Sequence, residues 1–299
     1  MFERSWRLFK TTWSILRSDK DLTTFPAIAG VVVLAISLLY FGVLFVIALA
    51  NPTLGRQIQT GDQGVWSVGG IAIMFVYYLI TSMVTNYLTG ALTGAVLIRL
   101  RGGDPTLQDG FKAANARLGK LFQWSIITAT VGMVINMIRN SARNNRGGNI
   151  VGSILASILA GMAEFAWNVA SFLVVPIIID EGEAPIPALK KSVASLKRTF
   201  GEQLIGGAGM SLITFLMGVG ITIIFGALTA LFGGIGFAFG AIASIILWVI
   251  AIAILVVIAS ALGGIFRTAV YEYAKTGQVP QSMAPASEMI VGAFKVKNA

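Results

Sequence analysis

Residues 25–50 read FPAIAGVVVLAISLLYFGVLFVIALA. The stretch holds no charged residue and exceeds the about 20 apolar residues that a helix needs to cross hydrocarbon. No soluble domain keeps so long a run of Val, Leu, Ile and Phe without a polar face, so lipid is the solvent it implies. Working outward, five further stretches have the same character: Val65–Ile98, Leu121–Ile138, Ile150–Ile179, Leu204–Leu231 and Phe237–Phe266. None alternates polar with apolar residues, which excludes the pattern of a membrane β-barrel. The expected fold is all-α: a polytopic bundle of six transmembrane helices. At about 1.5 Å per residue the second stretch is about 50 Å long, so it must tilt, kink or project, with Gly90 and Gly94 as flex points.

Composition agrees. Of 299 residues, 56% are hydrophobic and 12% charged, against about 25% charged in a soluble domain. The chain has no Cys and no His. That removes disulfides, thiol nucleophiles, thiolate or imidazole metal sites and histidine acid–base chemistry. The net charge of +9 does not indicate nucleic acid, because the basic residues are scattered over short loops. The first 24 residues mix Arg4, Arg7, Lys10, Arg17 and Lys20 with Glu3, Asp19 and Asp21. The apolar run behind them is too long for a signal peptide, although Ala48-Leu49-Ala50 mimics a cleavage site.

Orientation follows from the distribution of Lys and Arg. All but four of the 22 basic residues fall on one side, which is expected to be cytoplasmic and to hold both termini. The exceptions are Arg56 and the cluster Arg139, Arg143 and Arg146. A hairpin of spans three and four that fails to cross would explain the cluster. So would an external basic loop against lipid phosphates or an acidic partner, which is the favoured reading. The expected setting is the plasma membrane of a prokaryote.

The segments between hairpins echo one another. Ser5, Lys10, Thr12 and Trp13 share the spacing of Ser192, Lys197, Thr199 and Phe200, and Lys120 shortly before Trp124 is a looser version. Spans two, four and six each lead into a polar stretch and a proline: Gly102-Gly103-Asp104-Pro105, Glu181-Gly182-Glu183-Ala184-Pro185 and Gly277-Gln278-Val279-Pro280. Proline suits the first turn of a helix, so a short helix is expected after each, with Asp104 capping the one at Pro105. Trp6, Phe9, Trp13 and Leu16 lie near one face, interleaved with Arg7, Lys10 and Arg17. Aromatic and basic residues beside a span fit the headgroup layer. Trp6, Arg7, Lys10, Trp13, Trp124, Lys197 and Phe200 are thus expected to anchor the protein at the membrane interface. The chain reads as one membrane domain. Interfacial helices over 1–24, 104–119 and 185–200 precede the span pairs over 25–100, 121–179 and 204–266, and a cytoplasmic tail covers 267–299.

Phe2, Ser5 and Trp6 form an F-x-x-S-W start. Together with the Pro-led helix Pro185–Phe200 running into Gly201-Glu202, it resembles an uncharacterised family of prokaryotic six-span membrane proteins. The tail residues Tyr271, Tyr273, Ala274, Gly277, Pro280, Ala293, Phe294 and Lys297 fit the same resemblance. It implies a six-helix membrane fold and no assigned activity. The stretch around Val174-Val175-Pro176 is also similar to membrane domains attached to some bacterial glycerophosphodiester phosphodiesterases, but no catalytic phosphodiesterase domain accompanies it.

Glu164 is the sharpest functional candidate, being the one charged residue near the middle of an expected span, where a charge costs at least a few kcal/mol. Trp167, Asn168 and Ser171 share its face. Together they read either as a proton or cation site, or as a protonated acid bonded to a neighbouring helix or lying near an entrance. Ser82, Asn86, Thr89 and Thr93 form a stripe along span two, with Asn136 in span three; such residues more often join helices than line a water path. Gly90-x-x-x-Gly94, Gly207-x-x-x-Ser211, Gly236-x-x-x-Gly240 and Ser260-x-x-x-Gly264 permit close helix packing. Pro176 is expected to bend span four. Asp180, Glu181 and Glu183 beside Lys190 and Lys191 read as a solvated face. Gly233-Gly234-Ile235-Gly236 lacks the lysine of a phosphate loop and reads as a tight external turn.

With no Walker loop, nucleophile elbow or paired intramembrane carboxylates, enzymatic chemistry and a cofactor are not expected. The expected function is that of a non-enzymatic scaffold or accessory subunit in lipid, with a homo-oligomer or a membrane protein as partner. The alternative is a channel or transporter with Glu164 as its polar site, since repeats and discontinuous helices are usual in transporters.

Overall fold

A computed structural model of the chain describes residues 10–17, 19, 21–51, 68–144, 150–199 and 203–278. Among these residues no strand occurs. Behind a helical stretch at 10–17, nine helices follow: α1 (Asp21–Ala50), α2 (Val68–Leu100), α3 (Leu107–Asn115), α4 (Leu118–Asn144), α5 (Ile150–Ala170), α6 (Val174–Glu181), α7 (Pro185–Thr199), α8 (Gln203–Gly234) and α9 (Ala238–Thr276). Six segments are long and apolar enough to cross a membrane: Asp21–Ala50, Gly70–Leu100, Leu118–Arg139, Ser157–Glu181, Leu212–Gly234 and Ala238–Thr276. The expected all-α polytopic fold is therefore present. A short helical segment precedes two crossings three times along the chain.

Two of the local expectations are corrected. Span two is one unbroken helix, so Gly90 and Gly94 do not interrupt it. A Cβ on Gly90 would lie 3.0 Å from Ile179 Cδ1 and 3.1 Å from Leu121 Cδ1, so this glycine serves close packing. The helix after Pro105 starts two residues later, at Leu107. Thr106 and Asp109 close it reciprocally: Asp109 N donates to Thr106 Oγ1 at 3.3 Å, and Thr106 N donates to Asp109 Oδ2 at 3.0 Å. This is a capping box. Asp104 instead accepts from Arg99 at 3.0 Å.

Span four breaks as Pro176 requires. Proline offers no N–H to the carbonyl of Phe172, four residues back. The chain tightens into a turn at 171–173, where Phe172 N bonds Val169 O at 3.1 Å and Val174 N bonds Ser171 O at 3.2 Å. α6 then restarts, with every residue from Val174 to Ile179 buried.

The chain forms two compact units. In the first (Met1–Ala27, Leu92–Gly110, Ala194–Ala299), α8 packs along α9, and Trp248 Nε1 donates to Thr222 Oγ1 at 3.2 Å. Gly233-Gly234-Ile235-Gly236 is the expected tight turn: Phe237 N bonds Phe232 O at 2.8 Å, Gly236 N bonds Gly233 O at 3.1 Å, and Gly236 has φ +75°. That pair of bonds is a Schellman closure. Leu22, Phe25, Val96, Leu262, Ile265 and Ala269 are buried. Arg101 grips Glu272 with two bonds, Nε to Oε1 at 3.1 Å and Nη2 to Oε2 at 2.8 Å.

The second unit (Ile28–Ala91, Phe111–Val193) holds most of the intramembrane polar residues. In it α4 packs against α5 and α6. Tyr40 stacks on Tyr77 with centroids 4.4 Å apart, and Tyr87 donates to Asn115 Oδ1 at 2.9 Å. α1 is largely uncovered beyond Phe25: Leu34, Leu38, Leu39, Phe45, Val46 and Leu49 are each at least 60% exposed. Those residues share one broad side of the helix, which is the side left open to lipid.

Candidate functional site

The polar residues inside the spans pair with one another across α2 and α4. Tyr78, Ser82 and Asn86 lie one turn apart on α2 and face α4. Asn86 Nδ2 donates to Ser125 Oγ and Thr128 Oγ1, each at 3.1 Å. Ser125 in turn donates to Leu121 O at 2.7 Å, with a weaker approach to Ser82 O at 3.4 Å. One level further along, Asn136 Nδ2 donates to Tyr78 OH at 2.8 Å. In hydrocarbon an unpartnered amide costs several kcal/mol, so the cheapest arrangement is for Asn and Ser on facing helices to satisfy each other. Thr93, lower on α2, is buried, and Thr89 is half-buried.

Glu164 is not an isolated charge. It forms an ion pair with Arg139 of α4, and both side chains are 44% exposed. Arg139 ends the third crossing (Leu118–Arg139), so Glu164 lies level with the end of that crossing. The segment of span four apolar enough to cross begins at Ser157, later than Ile150, and Glu164 lies two turns into it. Its expected companions do not gather around it. Asn168 is exposed, and Ser171 Oγ bonds back to Trp167 O at 2.7 Å. Trp167 stacks on Trp124, with centroids 5.5 Å apart and planes at 21°.

That stack corrects the anchoring role expected of Trp124. It is 2% exposed, so its indole fills the space between α4 and α5 and does not reach the headgroups. Trp13 and Lys10 lie in the helical stretch 10–17 and are exposed. Trp6, Arg7 and Phe200 lie outside the described residues, as does the side chain of Lys197.

At the basic ends of the even-numbered spans the structure adds a feature that the proline echoes only hinted at. Gly102, Gly182 and Gly277 close α2, α6 and α9 with φ of +88°, +68° and +71°. Gly182 N bonds Ile178 O at 3.1 Å, and Gly277 N bonds Tyr273 O at 2.8 Å. Each glycine stands three residues before a proline: Pro105, Pro185 and Pro280. The sequence signal was a Gly-x-x-Pro repeat, in which glycine ends one helix in the left-handed conformation. Pro185 then opens the next helix and Pro105 stands two residues before one, while Pro280 lies outside the described residues.

The sequence profile of a family of unknown function (DUF6159) matches residues 68–281. The chain belongs to that family. The DUF6159 match starts at Val68, the first residue of α2, and includes all three Gly-x-x-Pro closures. The F-x-x-S-W start at Phe2, Ser5 and Trp6 lies before it, so that part of the resemblance is not what the match rests on. No curated protein matches the chain.

Within the second unit, α6 ends against α4. Lys120 Nζ donates to the carbonyl oxygen of Gly182. The guanidinium of Arg117 lies over the Gly182 backbone, so a Cβ there would sit 2.7 Å from its Cζ. Two cations thus face the negative end of a helix dipole. Lys191 pairs with Glu181, and Ser192 Oγ accepts the amide of Leu173 at 3.2 Å. Near the start of α1, one oxygen of Asp19 is sealed from solvent without a hydrogen-bond partner. Burial raises the Asp19 carboxyl above its ordinary range, while Asp21 N and Arg99 pull the other way.

Proposed function

We propose that this chain is a non-enzymatic integral membrane protein that serves as a scaffold or accessory subunit, assembling with copies of itself or with a membrane-protein partner. The observation that carries this reading is the use made of the intramembrane polar groups. Asn86, Asn136, Ser125, Thr128 and Tyr78 are spent on one another, and Glu164 is neutralised by Arg139. A coupling carboxylate in a transporter needs to exchange a proton or cation, and a fixed guanidinium beside it opposes both. The lipid-exposed faces of α1 and of the α8–α9 pair leave ample surface for association.

The proposed setting is the plasma membrane of a prokaryote, with both ends in the cytoplasm on the strength of the Lys/Arg bias. The test is the mass of the full chain extracted in mild detergent and measured by light scattering, with co-purifying proteins identified. A stable multiple of the 31.7 kDa protomer, or a stoichiometric partner, supports the scaffold. A solitary monomer at all concentrations in detergent and in nanodiscs contradicts it.

A further inference from the structure

The Arg117–Lys120–Gly182 corner has a chemistry that the scaffold reading does not use. Arg117 lies in the turn between α3 and α4, half-buried. Its Nε is sealed from solvent with no hydrogen-bond partner, and among the described residues its guanidinium makes no hydrogen bond or ion pair. Lys120, one turn later, uses one ammonium proton on the Gly182 carbonyl and retains two. Both cations converge on Gly182, Lys120 at its carbonyl and Arg117 over its Cα. Like charges held together repel. The flanking Glu181 is taken by Lys191, and Glu183 pairs with neither cation among the described residues. A part-buried guanidinium without a partner also costs more than an exposed one. An anion between them relieves both penalties.

The position of the corner specifies which anion. Lys120 is the last charged residue before the apolar run that opens the third crossing, and Phe122 just beyond it is 40% exposed. Gly182 directly follows the end of the fourth crossing at Glu181. The corner is therefore level with the headgroups, where lipid phosphates are the abundant anion. Arginine binds phosphate oxygens with paired N–H groups, and a lysine beside it adds a second charge. Lys190, exposed at the start of α7, lies on the same side of the membrane.

We propose that Arg117 and Lys120 form a binding site for the phosphate of an anionic lipid headgroup in the leaflet on the basic side. The ligand seats against the end of α6 and bridges the α3–α4 turn to the start of α7.

The experiment uses the delipidated full chain in neutral detergent. Its melting temperature is followed while phosphatidylglycerol, phosphatidylcholine or inorganic phosphate is added, and bound lipid is counted by native mass spectrometry. Phosphatidylglycerol should raise the melting temperature and remain bound, phosphatidylcholine should do so at least tenfold more weakly, and inorganic phosphate should do neither at matching concentration. Arg117→Gln should weaken phosphatidylglycerol binding about tenfold, and Arg117→Lys should restore part of it. Should Arg117→Gln not fold, Lys120→Gln and the ranking of the three ligands on the wild type decide the matter. Equal response to both lipids, a response to inorganic phosphate as strong as to lipid, or undiminished binding by a well-folded Arg117→Gln chain would each overturn the site.

Discussion

Ser192 Oγ accepts the amide N–H of Leu173 at 3.2 Å, and by that bond α7 caps the break that Pro176 makes in span four. Both groups are buried: Ser192 is 0% exposed and Leu173 1%. In Ser192→Ala the amide loses its partner in a place that water does not reach. Leaving a buried donor unsatisfied costs about 1–3 kcal/mol, so thermal unfolding in detergent should occur several degrees lower. A variant as stable as the wild type would mean that another acceptor takes over the Leu173 amide.

The glycine closures separate two costs that are usually mixed. Gly102 and Gly182 both have positive φ, which costs a residue with a side chain about 1–2 kcal/mol. A Cβ at Gly102 meets nothing within 4 Å, whereas one at Gly182 meets Arg117 Cζ at 2.7 Å. Gly102→Ala should therefore lose only the conformational amount. Gly182→Ala should lose more, and Arg117→Ala in the same chain should return part of the excess. Equal losses at the two glycines would show that the guanidinium moves aside freely.

Apolar run length placed all six crossings, because hydrocarbon imposes a length that composition alone reveals. What run length does not reveal is which polar groups meet. Glu164 looked alone because its partner Arg139 stands 25 positions earlier, at the end of another span. The same arginine belongs to the basic cluster Arg139, Arg143 and Arg146, so one of the three charges set against the bias is met by an acid within the protein. The Asn86 and Asn136 contacts were legible in kind, as helix-joining groups, but not their partners Ser125, Thr128 and Tyr78, which only the α2–α4 register reveals. Asp104 was a reasonable cap until Thr106 and Asp109 offered a reciprocal one two residues later.

The α2–α4 ladder predicts a graded loss. Asn86→Ala removes two interhelical bonds and Asn136→Ala one. Interhelical bonds in membranes average about 0.6 kcal/mol. Asn86→Ala should thus cost about 1 kcal/mol and Asn136→Ala about half of that, read from unfolding titrations in mixed micelles. If neither variant moves the transition, these side chains do not hold α2 to α4.

Asp19 predicts a pH dependence whose sign is fixed by burial. Its carboxyl is raised in the folded chain, so the folded state holds the proton more tightly than the unfolded one. Ionised Asp19 is then a liability that is absent below the unfolded carboxylate range and fully present above the folded one. Asp19→Asn keeps an acceptor for the Asp21 amide and removes the charge. It should raise the melting temperature at pH 7 and make no difference near pH 3. A variant less stable than the wild type at pH 7 would contradict this.

The central claim is that the polar and charged groups inside the spans hold helices together and do not carry solute. The most direct measurement is ion flux into liposomes reconstituted with wild type, Glu164→Gln and Arg139→Gln at equal density. The expected result is that all three leak no faster than protein-free liposomes, while the two variants unfold more readily than the wild type. A wild-type flux above that background, abolished in Glu164→Gln with the fold intact, would contradict the account.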